Sequence, residues 1–335
     1  MDSIGRARTL IDLGRHEQAK AELAKALADD PASTEAWCLL AQCEQKAGDV
    51  KAMQYAAGQA LASNPDSEWA HRLQSLALHK LGRHDEAVQA AREAVRLAPH
   101  QWQQYVVLVT SMIPRLDVHY GEAGWAADRA VELAPLHAET HLTRGVLAGA
   151  RGNLPEAERN YREALKLDPE NAAARNNLAT IELRGNNLEA ATAGFAAALA
   201  ENPRLQVARD NIDLVCRRVL RGARLAAQTV FIGVGFVTIT YEGSTGFPTA
   251  VAVLLTLLWA FMVLRLIGRL AKPVRAHLRS QVRHNRRHLP TVVATAVFIA
   301  AALSAAWMPI PLLGIGIAAT LGYFVSDRLR RARTP

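Results

Sequence analysis

Cysteine is scarce in this chain. Its 335 residues include three, Cys38, Cys43 and Cys216. The number is odd and no pair has zinc or redox spacing, so no disulfide framework is expected and a reducing compartment fits. Acidic residues are missing from one half: residues 204–335 hold 18 Lys/Arg but only 4 Asp/Glu, net +14, whereas residues 1–203 hold 21 and 27, net −6. The basic residues of the second half sit between long apolar runs, which favours a membrane over a nucleic-acid reading. The opening MDSIGRARTL has no apolar stretch of signal-peptide length, so the first 200 residues are expected to stay on the side where they are made.

The marks of catalysis are missing too. There is no P-loop and no activated Ser or Cys arrangement. His137 and His141 are four apart, but in HAETH rather than HExxH, and both open a repeat helix, where packing or surface roles are expected. His284 and His288 share that spacing inside an Arg cluster that repels a divalent cation. No metal and no cofactor is assigned, and the chain is read as no enzyme. Gly233-x-Gly235 and Gly314-x-Gly316 read as close helix packing, not phosphate binding.

What is present is a repeat. Prolines fall at 31, 65, 99, 135, 169 and 203, spaced 34, 34, 36, 34 and 34. Glycines keep step at Gly14, Gly48, Gly82 and Gly152. Each phrase, such as LGRHDEAVQAAREAVRLAP, reads as a glycine that ends one helix, a second helix with small residues at spacings of three and four, and a proline that stops it. One pair of helices cannot bury its own apolar stripe, so the pairs must stack.

This period, with Gly, Ala, an aromatic, Ala and Pro in order, resembles the tetratricopeptide repeat family over residues 1–203, as about six helix-turn-helix units. The resemblance implies an all-α solenoid. Departures exist. The first unit lacks most of its first helix, and the Trp-Leu-Gly-Tyr signature survives only as Trp37, Leu40, Ala41 and Glu44. The fourth unit has two extra residues and Pro114, so a longer, bent first helix or a wider turn is expected there. Residues 204–224 then place Leu205, Ala208, Ile212, Val215 and Val219 on one face, as a capping and connecting helix would.

Residues 225–326 are expected to form four transmembrane helices, at about 225–241, 247–268, 289–307 and 309–326, each long enough to cross a bilayer. Arginines precede the first span, fill the linker 269–288 and end the chain in the tail 327–335, while the two other loops carry no Lys or Arg. The positive-inside rule then puts both termini in the cytoplasm of a multi-pass inner-membrane protein. No ionisable residue sits near the middle of a span, which argues against an ion pathway. Arg269, Lys272, Arg275, Arg279, Arg283, Arg286 and Arg287 of the linker are candidates for binding anionic lipid headgroups. Aromatics do not interleave them, so base stacking, and with it nucleic acid, is not expected.

The resemblance also implies a concave groove lined by the first helix of each unit, which takes a peptide or helix of a partner protein. By phase its lining is Trp69, Arg72, Leu73, Leu76, Val106, Val107, Thr110, Leu142, Thr143, Val146, Asn176, Asn177 and Thr180. Asn176 and Asn177 could bond an extended backbone, and Arg72 with that pair would suit a free acidic C-terminal tail. The expected function is a membrane-anchored interaction scaffold. The alternative is a transport or channel component whose repeats regulate its membrane part.

Overall fold

The structure is a computed structural model that describes residues 2–240 and 246–284, with the backbone alone at several positions from 231 onward. It is helical throughout those residues and divides into two compact units, Met1–Asn177 and Leu178–Pro335.

The first unit consists of helix pairs. They are α1 (Ser3–Asp12) with α2 (His16–Asp29), α3 (Thr34–Ala47) with α4 (Val50–Ser63), α5 (Glu68–Lys80) with α6 (His84–Leu97), α7 (Trp102–Met112) with α8 (Leu116–Leu133), and α9 (Ala138–Ala150) with α10 (Leu154–Leu167). The first unit's opening helix is therefore present, shortened to 10 residues against 14 for α3. Each pair touches within itself, and consecutive first helices touch one another from α1 to α9. This is the stacking that an apolar stripe on every pair demands.

The local signals act as their chemistry requires. Gly48 ends α3 at φ 85, in the left-handed region. Asn186 takes the same conformation at φ 63, where the sixth unit has Asn in phase with the glycines; an amide side chain tolerates this conformation better than most. Ser33 and Ser67 cap α3 and α5 by accepting hydrogen bonds from the N–H groups of Ala36 and Ala70, each contributing about 1 kcal/mol. The fourth unit handles its extra residues in its own way. α7 is not lengthened. A 3-10 turn over Ile113–Arg115 closes it, and the additional length goes to α8, which has 18 residues and a kink at His119.

The core of this unit is built largely of alanine. Ala56, Ala57 and Ala60 of α4, Ala91 and Ala94 of α6, and Ala126, Ala127 and Ala130 of α8 are almost wholly buried. Methyl groups at these places let paired helices approach closely. Where α10 carries the larger Tyr161, α9 answers with Gly145, and a Cβ at 145 would lie 2.6 Å from the Tyr161 ring.

The second unit contains the last turns of α11 (Ala172–Arg184), then α12 (Leu188–Glu201), α13 (Gln206–Thr240), α14 (Gly246–Gly268) and α15 (Lys272–His284). α13 is one helix of 35 residues, about 52 Å long, that carries the capping face and the first apolar run together. Its core is made of larger side chains: Phe195, Ile212, Val215, Val219, Leu270, Val274 and Leu278. Among the described residues no helix is long and apolar enough to cross a membrane; the fully described apolar stretch of α14 is 253–264, short of the roughly 20 residues a crossing needs. The expected spans at 289–307 and 309–326, the tail 327–335, and Arg286 and Arg287 lie outside the described residues.

Candidate functional site

The face shared by the first helices is expected to be open at three positions in each of the third to sixth units, with Trp69 added in the third. The structure divides them. Counting from each proline, the residues at plus eleven (Leu76, Thr110, Val146 and, in the second unit, Thr180) are half-buried and reach the surface. Those at plus eight are mostly spent on packing: Leu73, Val107 and Thr143 are buried, and only Asn177 is half-buried. At plus seven, Val106 and Asn176 are buried while Arg72 and Leu142 are half-buried. Trp69, at plus four, is half-buried and packs against the core of α3 to α5. The surface offered by the first unit is therefore Trp69, Arg72, Leu76, Thr110, Leu142, Val146 and Asn177.

Polar groups on this face are partly engaged. Thr110 Oγ1 donates to the Val106 carbonyl at 2.8 Å, and Asn176 Nδ2 donates to Asn177 Oδ1 at 3.3 Å. Ser75 and Ser111 share a buried hydrogen bond of 2.9 Å that joins α5 to α7 beneath it. Arg72 differs. Among the described residues its guanidinium makes no ion pair. Burial pulls its pKa below the usual arginine value, with the charge of Glu139 acting in the opposite direction. Half-buried, it is a cation only partly compensated by distant carboxylates.

A second regularity joins the units, and the sequence reading missed it. The residue six places after each proline donates a hydrogen bond back to that proline's carbonyl. Trp37 Nε1 reaches Pro31 at 2.8 Å, His71 Nε2 reaches Pro65 at 2.8 Å, Tyr105 Oη reaches Pro99 at 2.9 Å, and His141 Nε2 reaches Pro135 at 2.8 Å. Arg175 and Arg209 do the same to Pro169 and Pro203. Six residues of four types perform one task, and the shared signal is a side-chain donor at fixed spacing. The pattern also explains the histidine pair. His141 is engaged with its proline, and His137 stacks on Trp102 with ring centres 4.8 Å apart. Among the described residues no group of three His, Cys, Asp or Glu could hold a metal. The three thiols are buried, and burial pushes Cys38 up to about 12 and Cys43 and Cys216 up to about 11, so they stay protonated at neutral pH.

In the second unit the segment read as a linker is largely a helix. α15 lays Val274 and Leu278, with Leu270 just before it, against Phe195, Ile212, Val215 and Val219 of α12 and α13. The Ala271 N–H donates to Thr192 Oγ1 at 3.0 Å, and His277 Nε2 meets Asp213 Oδ1 at 2.7 Å. Arg269 and Lys272 stay exposed and Arg275 half-buried. Arg279 and Arg283 lie on the same helix, with side chains outside the described residues. Beyond this region α13 and α14 form a hairpin in which Trp259 Nε1 donates to the Ala223 carbonyl at 2.9 Å. A mostly apolar cleft of about 510 Å³ lies between Val230 of α13 and Leu255, Leu258 and Met262 of α14. The outer side of α14 exposes Leu254, Leu257, Phe261 and Leu264, each more than half accessible.

Comparison with known proteins agrees with the helix pairs. Two tetratricopeptide-repeat family models match, one over residues 54–101 and 142–205 and one over 3–43. The chain is 35% identical over 71 residues to an FK506-binding protein-like protein of Homo sapiens, covering 21% of this chain and 20% of that one. It is 32% identical over 101 residues to tetratricopeptide repeat protein 17 of Homo sapiens, covering 30% of this chain and 9% of that one. The chain thus spans about a fifth or less of these relatives. The crystal structure of PilW, a widely conserved type IV pilus biogenesis factor, superposes with a TM-score of 0.52 at 19% identity, over 62% of this chain and 96% of that one. At that identity the likeness is one of fold.

Proposed function

Because tetratricopeptide-repeat models match residues 3–43, 54–101 and 142–205 of this chain, we propose that it is a non-enzymatic scaffold that binds a protein segment on the first-helix face and is anchored to a membrane by its second unit. The observation that carries the binding half is the surface made by Trp69, Leu76, Leu142 and Val146 around Arg72. Its apolar positions suit a helix or extended segment with apolar side chains. Arg72 suits a carboxylate on that segment, since a partly desolvated guanidinium gains most from a planar anionic partner.

The anchoring half rests on α14. Its 23 residues, GFPTAVAVLLTLLWAFMVLRLIG, carry a single charge, Arg265, close to the end. Four of its large apolar side chains point outward, an arrangement that water disfavours by about 25 cal/mol per Å² and hydrocarbon does not. The positive-inside pattern of the sequence supports a cytoplasmic side for the repeats.

The test is affinity capture from native membranes with the intact chain and with a Trp69→Ala/Arg72→Glu/Val146→Glu variant. These positions are half-buried, so the repeats should still fold, which a melting curve checks. A partner held by the parent and lost by the variant is the expected result. Equal capture by both would remove the face from consideration. Anchoring is read from the same membranes by alkaline carbonate extraction: a chain released with the peripheral proteins would sink that half of the proposal.

A further inference from the structure

The cations of the second unit are set at one level. His277 pairs with Asp213, while Leu270 shares one buried cluster with Val215 and Val219, against which Leu220 also packs. α14 runs antiparallel to α13, since Leu255 lies by Gly233 and Trp259 reaches Ala223, so the end of α14 and the start of α15 return toward the Arg217–Arg221 stretch of α13. This arrangement gathers Arg217, Arg218 and Arg221 of α13 with Arg269 and Lys272, at the foot of the α13–α14 hairpin. All five are exposed. Among the described residues none of the five pairs with a carboxylate; Arg221 donates only to the Arg217 carbonyl. The apolar run of α13 begins one turn beyond Arg221, and the exposed apolar side of α14 ends at Leu264, before Arg269. Charge and grease change places at the same height on both helices.

We propose that this band binds the phosphate headgroups of anionic phospholipids, with α15 as a docked platform that fixes its cations at the bilayer surface. The inference rests on the anchoring reading and adds the class of lipid. The physical reason is twofold. Each cation near an anionic surface adds attraction that salt screens. Because α15 is already packed on α12 and α13, binding need not order a loose linker first.

The full chain is offered two differently labelled vesicle populations together, one of phosphatidylcholine and one of phosphatidylcholine with phosphatidylglycerol, and separated by flotation. The expected result is a preference of at least about tenfold for the anionic vesicles at low salt, falling as salt rises. A variant with Arg217→Gln, Arg218→Gln, Arg221→Gln, Arg269→Gln and Lys272→Gln should still float but divide evenly, with the melting of its repeats unchanged. An even division of the parent chain would overturn the headgroup proposal and leave the anchor standing. Flotation only with anionic vesicles would support the headgroup proposal and remove the anchor. No flotation with either would overturn both. A DNA duplex that strips the parent chain from anionic vesicles would overturn the lipid assignment and move the band to nucleic acid.

Discussion

Arg92 of α6 and Arg218 of α13 are both helical arginines that reach solvent, and they keep opposite company. Arg92 makes a two-pronged contact with Glu122, at 2.9 and 2.6 Å. Arg218 meets no carboxylate among the described residues. The same holds across their units. In the first, Arg6, Lys20, Arg83, Arg96, Arg115, Arg129, Arg162 and Lys166 each have an acidic neighbour. In the second, Arg217, Arg221, Arg265, Arg269 and Lys272 are exposed and, among the described residues, pair with no carboxylate. The cores differ in degree: alanine supplies most of the buried apolar positions of the first, beside larger residues such as Leu73, Leu108 and Met112, whereas Phe, Ile, Val and Leu supply most of those of the second. Many cations of the repeats are answered within the fold, Arg72 being an exception, whereas these cations of the second unit meet no carboxylate among the described residues.

The core contrast predicts the largest effect. Phe195 is wholly buried, and Phe195→Ala should cost about 3–5 kcal/mol, against about 1–3 kcal/mol for Val88→Ala in the first unit. Urea unfolding with a probe in each unit measures both, and equal losses would break the contrast. Next comes Gly145→Ala. A helix normally gains up to about 1 kcal/mol from such a change. Here the new methyl would press on the Tyr161 ring, so a net loss of about 1–2 kcal/mol is expected. The same change made with Tyr161→Ala should lose its cost, and additive effects in that cycle would show that the contact was misjudged.

The charge contrast gives smaller effects. Hydrogen bonds from Arg92 hold the Glu122 carboxyl below its usual pKa, and those from Lys25 and Arg6 do the same for Glu22. A depressed carboxylate pKa contributes stability that is present above the unfolded value and lost as pH falls through the folded one. The melting temperature of the repeats should therefore drop as pH falls below the ordinary carboxylate range, and Glu122→Gln should flatten part of that slope. An identical slope in parent and variant would remove Glu122 from the account. Last, Arg92→Gln should cost about 0.5 kcal/mol, within the range of exposed pairs, whereas Arg218→Gln should leave the melting curve in place. A measurable loss from Arg218→Gln would mean that the second unit answers its charges internally after all.

Much of this was legible beforehand because a strict period speaks loudly. Six prolines fixed the units, and four glycines fixed their turns. The features that escaped did so for particular reasons. α1 is a short helix capped by Asp2 and anchored by Ala7, and so few residues hold too little pattern to be read alone. Leu73 and Val107 share a helix face with true surface positions, and only packing with helices elsewhere in the chain decides that they are buried. The described apolar edge of α15 is Val274 and Leu278, with Leu270 just before the helix, hidden in a sequence dominated by arginine. Its partner surface on α12 and α13 is far away along the chain.

The bond from the sixth residue back to each proline has a consequence for how such arrays drift. Its acceptor is a main-chain carbonyl, which mutation cannot remove. Its donor has been an indole, an imidazole, a phenol and a guanidinium within one molecule. Imidazole can donate from the same nitrogen whether neutral or charged, so the joint tolerates a change of proton as readily as a change of residue. Selection can then alter the charge and bulk beside every joint while the joint persists. A proline followed six places later by any long hydrogen-bond donor is thus a spelling by which eroded repeats could be found in chains whose aromatic signature has gone.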